Sequence, residues 1–235
     1  MSENSITVII PCHAQEHYLF RALSSVIWQL VPGDEVMVIH DSATPMSTSA
    51  LAPFAERVTL LENGERKGVA ASRNRAIQQA KTEWVKFLDS DDVLAPFALD
   101  IVRGGIEIPA SVALVTGGAH KIRNNKYVGY MCADENTIAD FDVSNPTLPS
   151  LTFARRKALI EVGLFNEAID HEEDWDLWFR IREKWGIEAF QIVEQPVCYY
   201  WISYAERQNK FRTASINGQL VRDYFRERYG ANPEP

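Results

Sequence analysis

The sequence predicts an α/β protein on a mostly parallel, doubly wound sheet, with a smaller mixed second half and a C-terminal helix. Three observations predict it. Apolar strand-like runs alternate with amphipathic helical patterns through residues 6–88. The connections between them are short, as parallel β-α-β units require. A cluster of carboxylates, Asp89, Asp91 and Asp92, follows the fourth apolar run, at the carboxyl end of a strand, where such sheets bind ligands.

Taken in order, "ITVII" (6–10) reads as a buried strand. Tyr18 to Trp28 then reads as a helix with Leu19, Leu23, Val26 and Ile27 on one face. "VMVI" (36–39) is the second strand, a short helix lies near Leu51 to Ala55, and "VTLL" (58–61) is the third strand. "NGERKG" (63–68) is a turn before a helix over 69–80, and 84–88 is the fourth strand. Pro96 is placed to open a helix. Beyond it, "VALVTGGA" (112–119) and "KYVGYM" (126–131) predict strands around the basic turn "HKIRNN". Residues 133–150 are polar and Pro-containing, a surface loop. Helices are expected over 155–162 and 172–185, strands over 188–193 and 197–201, and a basic-tinged amphipathic helix over 208–229.

Bulk properties narrow the function. Of 235 residues, 46% are hydrophobic and 24% charged, ordinary globular values. A net charge of −8 argues against a nucleic-acid partner. It also means that a phosphate-bearing substrate needs local cations or a metal. Cys12, Cys132 and Cys198 are isolated, with no CxxC pair, which reads as a reduced cytosolic chain. The start lacks a signal-peptide pattern, and the longest uncharged stretch, Ser42 to Ala55, is polar and Pro-broken. A cytoplasmic protein without a transmembrane segment is expected, with peripheral membrane contact and oligomeric state left open.

The acid cluster carries the chemistry. If residues 89–91 stay extended, Asp89 and Asp91 share one face. Paired carboxylates suit a hard divalent cation, Mg²⁺ or Mn²⁺, completed by substrate phosphates and water. The bland alternative is a solvated acidic turn in which Asp92 caps the next helix.

"ITVIIPCHAQEHYLFRALSSV", "VMVIHDSATP", "RKGVAASRNRAIQQAKTEWVKFLDSDD" and "GLFNEAIDHEEDWDLWFRI" occur in that order. Together they resemble the inverting GT-A glycosyltransferases of family 2, over about residues 5 to 202. The resemblance implies a GT-A domain over 1–205, with a nucleotide-binding half (1–92) and an acceptor-side half (93–205), followed by a C-terminal helix and tail (206–235). It implies that Pro11, Cys12 and His13 lie against the nucleotide, with Glu16 just after them. Asp41 would bond the base, typically uracil, and Arg73 would lie near the nucleotide. Asp91 would bind Mn²⁺ or Mg²⁺, and Asp89 would face the ribose or the metal. Asp174 would be the catalytic base, with Glu173 its neighbour and alternative. The partners implied are a nucleotide-sugar donor, most simply a UDP-sugar, and a saccharide or lipid-linked hydroxyl acceptor, as in polysaccharide or glycolipid synthesis.

The pattern departs from the family in places. His40, Ser42 and Pro45 replace an acid, a glycine and another acid of the second-strand motif. Trp201 stands for an arginine, and Ser203 for a histidine that helps hold the metal in relatives. No histidine follows His171, so His171 or water replaces that ligand, metal binding is weaker, or catalysis is lost. The competing class is therefore a glycosyltransferase-like module that binds nucleotide or partner without turnover. Nucleotidyltransferase and dehydrogenase readings lack their Gly-rich loops, and no Walker loop, H-E-x-x-H or G-x-S-x-G is present.

Overall fold

The computed structural model describes residues 4–47, 49, 51–134, 141, 145–169 and 171–202. Four apolar runs form a parallel half-sheet: β1 (Ile6–Cys12), β2 (Glu35–His40), β3 (Thr59–Glu62) and β4 (Trp84–Phe87), in spatial order β3-β2-β1-β4. Ile9 pairs with Met37 on one side and Phe87 on the other. β1 and β2 read as near-unbroken hydrophobic runs because both their faces are covered, whereas edge strand β3 leaves Thr59 and Glu62 exposed. Ile6, Val8 and Ile10 point into one core with Leu19, Leu23 and Val26 of α1 (Glu16–Ile27). Ile9 points the opposite way, into a core shared with Ile77 and Trp178, as strand alternation dictates. Those two belong to α2 (Val69–Gln79) and α4 (Glu173–Trp185), and α3 (Arg156–Glu161) packs on the same side. Trp178 is fully buried, so its truncation to alanine would cost about 3–5 kcal/mol.

Beyond β4 the sheet becomes mixed. β8 (Thr152–Arg155) lies antiparallel between β4 and β6 (Leu114–Arg123), and β9 (Phe190–Trp201) runs parallel to β6. The two-residue β5 (Val93–Leu94) pairs antiparallel with β9, and β7 (Lys126–Met131) pairs antiparallel with β6. This matches the expected parallel half followed by a mixed half, although the mixed half, with five strands, is not the smaller.

Two expectations fail locally. The strands expected over 188–193 and 197–201 are one strand, β9. Pro196 is accommodated because the β6–β9 register shifts between Thr116 and Gly118, and a bulge tolerates the missing donor. A Cβ on Gly118 would lie 1.8 Å from the Tyr130 hydroxyl, so any larger residue there would displace the Tyr130 ring. Pro96 opens no α-helix. Phe97 adopts φ 61°, and the chain makes a 3-10 turn (Ala98–Asp100) and one π-type turn (Ile101–Gly105). A left-handed residue directly after the proline interrupts helical geometry. Of the predicted surface loop 133–150, residues 135–140 and 142–144 lie outside the described residues, as do all of the predicted helix 208–229 and Ser203, while Phe141, Thr147 and Ser150 are buried rather than on the surface.

Candidate functional site

Loops at the carboxyl ends of β1, β2 and β4 converge. The Asp41 backbone N–H donates to the Cys12 carbonyl at 2.9 Å, and His13 Nδ1 lies 2.5 Å from the Asp41 carbonyl oxygen. The buried Asp41 carboxylate accepts from Asn63 Nδ2 (2.8 Å) and the backbone N–H groups of Lys67 (2.8 Å) and Gly68 (2.9 Å). These bonds pin the 63–68 turn, where Gly68 (φ 91°) precedes α2 in a conformation that glycine adopts without penalty. Three of the roughly four acceptor positions of this carboxylate are thus used.

Glu16, the first residue of α1, contacts Nε2 of buried His40 at 2.9 Å. The Glu16 backbone N–H and the His40 hydrogen bond hold its carboxyl below the usual range. The pairing joins the start of α1 to the end of β2. The Cys12 thiol faces the core, and burial with the nearby Glu16 pushes its pKa up to about 11.

The carboxylate segment after β4 is a turn, closed by the Asp92 N–H donating to the Asp89 carbonyl at 3.0 Å. Asp89 and Asp91 therefore do not alternate as on an extended strand. Arg73, only 3% exposed, lies at the centre. Its guanidinium donates to Asp89 Oδ1 at 2.9 Å and to Glu173 Oε1, 100 positions along the chain from Arg73, at 2.7 Å. Burial opposes its charge, but Asp89, Glu173 and Asp174 outweigh burial and raise its pKa.

Glu172 starts α4 in a left-handed conformation (φ 62°), and such strain concentrates at functional positions. Asp174, 7% exposed, accepts from the Trp175 N–H at 2.9 Å. Burial, then Glu173 and Glu172, push its pKa to about 8 against the pull of Arg73 and Asn145. Burial also raises Glu172, with Asn145 and His171 acting the other way. Trp175 is a packed indole whose Nε1 donates to the Phe141 carbonyl at 2.9 Å.

Beneath the turn lies a layer that sequence reading missed. Lys86, fully buried in β4, donates to the Ser150 carbonyl at 2.5 Å, and Ser150 Oγ accepts from the Asp89 N–H at 3.0 Å. Burial lowers the Lys86 pKa to about 8. Buried Asp92 accepts from the Trp201 N–H at 3.0 Å, and its other oxygen meets no hydrogen-bond donor among the described residues. Burial and the neighbouring Asp89 and Asp91 raise its pKa well above the carboxylate range. Arg21 donates to the Asp91 carbonyl at 2.6 Å and stacks 3.7 Å over the Trp201 ring. A charged residue inside an apolar strand, Lys86 in "WVKF", was the one legible signal for this layer.

The structure thus gathers Arg73, Asp89, Glu173 and Asp174 into one site. It sets His13 and Asp41 at the neighbouring strand end and Glu16 with His40 at the start of α1, while Pro11 stays on β1 in register with Ile39. Among the described residues, no three His, Cys, Asp or Glu side chains form a ready metal shell. Oxygen donors from one turn, Asp89 and Asp91, nonetheless fit a Mg²⁺-like ion that completes its shell with substrate phosphates and water.

The sequence matches the family model described as Glycosyl transferase family 2 over residues 7–187. The Escherichia coli protein named UDP-Glc:alpha-D-GlcNAc-diphosphoundecaprenol beta-1,3-glucosyltransferase WfgD is 27% identical over 225 residues, covering 95% of this chain and 88% of the relative. The crystal structure of S. aureus TarS 1-349 in complex with UDP-GlcNAc superposes with TM-score 0.66 at 19% identity, over 85% of this chain and 59% of that one. Mannosyltransferase PcManGT from Pyrobaculum calidifontis, in complex with GDP-Man and Mn²⁺, gives TM-score 0.63 at 20% identity, over 87% and 60%. These two likenesses carry the fold, of GT-A type, and the chain spans only 59–60% of those solved chains.

Proposed function

This chain belongs to glycosyl transferase family 2 and is a glycosyltransferase, and from that premise we propose that it performs inverting, metal-dependent transfer from a UDP-sugar to a hydroxyl of a lipid-linked saccharide. The observation that carries the reading is the Arg73 bridge. It draws Asp89, from the nucleotide-side half, and Glu173, from the acceptor-side half, to one guanidinium with buried Asp174 beside it. UDP-glucose and a GlcNAc-diphospholipid, both in the printed name of the E. coli relative, are the first substrates to test.

In this mechanism Arg73 supplies fixed positive charge near the donor diphosphate, which a chain of net charge −8 needs locally. Asp91 and Asp89 would hold Mn²⁺ or Mg²⁺. Such an ion, when bound, offsets the charge developing on the departing diphosphate. The acceptor oxygen attacks C1, the bond from C1 to the phosphate oxygen breaks, UDP leaves with the bonding electrons, and the hydroxyl proton passes to Asp174. A carboxylate raised toward neutrality is well matched to that transfer, and such a base contributes about 10²–10⁴-fold. The domain boundary at 205 and the tail 206–235 belong to the same proposal.

The test measures UDP release and glycolipid product with UDP-glucose, UDP-GlcNAc and GDP-mannose, with and without Mn²⁺ or Mg²⁺. Product of inverted configuration that requires metal and falls at least 100-fold in Asp174→Asn is expected. Nucleotide binding with no turnover on any acceptor, unchanged in Asp174→Asn, would instead identify a binding module.

A further inference from the structure

We propose that the β6–β7 hairpin is a docking element for an anionic phospholipid surface. Residues 112–132 carry Lys121, Arg123, Lys126 and His120 and contain no Asp or Glu, in a chain whose acids outnumber its Lys and Arg by 32 to 24. The turn is Asn124–Asn125, both with positive φ (49° and 59°), the geometry of a tight two-residue hairpin. Among the described residues β7 pairs with β6 alone. The hairpin is therefore an edge, and the charge lies where a partner can reach it.

The hairpin also carries an aromatic face built by a specific irregularity. Tyr127 and Tyr130 are three residues apart and would point to opposite sides of a regular strand. The register shifts so that Lys121 faces Gly129 and Ile122 faces Tyr127, leaving Val128 as the extra residue. Both tyrosines consequently lie around His120, with ring centroids at 5.6 and 5.3 Å, and Tyr199 of β9 adds a third ring at 5.3 Å. Tyr127 is 61%, Val128 47% and Tyr130 38% exposed. Tyr130 rests on Gly118, its hydroxyl donating to the Glu194 carbonyl, so the platform is braced from beneath. Glu194 is the acid whose charge reaches Tyr130, and it lies at the base of the hairpin, away from the Asn124–Asn125 tip.

Exposed tyrosines beside lysine and arginine match the interface of a bilayer: amphipathic rings sit at headgroup depth while cations meet anionic headgroups. Lys121 lies on the opposite ribbon face to His120, and its long stem can carry the ammonium round the narrow hairpin to the headgroups. The anchorage also points toward the site. The Ile202 N–H donates to the Ile122 carbonyl at 2.8 Å, and the Trp201 N–H donates to Asp92 in the carboxylate turn. A surface gripped by the hairpin is thereby held near the acid cluster. This inference does not depend on which sugar is transferred, or on turnover at all.

Sedimentation of the full chain with phosphatidylcholine vesicles, with and without phosphatidylglycerol, tests it. The wild type is expected to sediment only with the anionic vesicles, and less at high salt. Lys121→Gln with Lys126→Gln is expected to lower partitioning about 30-fold, the change to which about 1 kcal/mol per lysine converts. The control double variant Lys81→Gln with Lys157→Gln makes the same change of net charge at exposed sites elsewhere and is expected to bind as wild type. Equal loss in both double variants, undiminished binding in the hairpin variant, or no wild-type preference for anionic vesicles would each overturn the proposal. Circular dichroism separates loss of binding from loss of fold.

Discussion

Asp174→Asn should make the protein more stable while disabling it, and the size of the effect follows from the site. Asp174 is buried in the first turn of α4, and burial with Glu173 and Glu172 raises its pKa to about 8. The folded chain therefore keeps a proton that the unfolded chain releases near pH 4. Stability is greatest below that pH and falls as pH rises through the window from about 4 to about 8, because the folded state binds more protons there. Each unit costs up to about 1.4 kcal/mol, so the three units from pH 4 to pH 7 amount to on the order of 4 kcal/mol. Asn keeps the shape and the acceptor for the Trp175 N–H but carries no charge. Urea unfolding of both proteins at pH 5, 7 and 9, free of nucleotide and metal, should show the variant gaining on the wild type as pH rises. At pH 7 the difference in Tm should be roughly 10 °C. In parallel, wild-type kcat/KM should climb with pH toward a limb near 8, a limb that the variant lacks. A stability difference that stays flat from pH 5 to 9 would refute the reasoning, since burial of this carboxylate would then carry no electrostatic cost.

Two further outcomes are expected. Arg73→Met leaves Glu173 and Asp89 facing each other without their shared cation, and should cost about 3–5 kcal/mol in chemical denaturation at pH 7. The loss should shrink as falling pH protonates the two acids, whereas a loss constant with pH would point to packing alone. Asp41→Ala removes the acceptor of two backbone N–H groups and of Asn63, and should cost about 2–4 kcal/mol. Faster amide exchange at Lys67 and Gly68 should accompany it, and unchanged exchange there would mean that the turn holds itself.

The parallel half was legible because burial on both faces writes itself into sequence as uninterrupted apolar runs, and "ITVII" and "VMVI" could be nothing else. The convergence of Arg73, Asp89 and Asp174 could be suspected from the order of the motifs. That Arg73 bonds Asp89 and Glu173 at once could not, because it depends on where α2 and α4 land on the sheet. The same applies to Lys86, Ser150 and Asp92, whose partners lie 61 to 109 residues away and leave no local pattern. For Asp92 the sequence suggested only the bland use, a helix cap, because caps are a common use of an aspartate before an apolar run. Pro96 misled for a related reason: a proline announces that something begins, but the backbone of Phe97 decided what. The β9 strand was divided in two because Pro196 breaks strands in general, and only its bulged register against β6 lets it pass.

β8 runs against β4, so the polypeptide reaches the carboxylate turn from two opposite directions: out of the parallel strands on one side, and in through residues 145–151 on the other. Of the second approach, a single serine hydroxyl, that of Ser150, meets the Asp89 backbone. The Ser150 carbonyl also holds Lys86 beneath the same turn, so one residue ties the returning segment both to β4 and to the carboxylates that follow it.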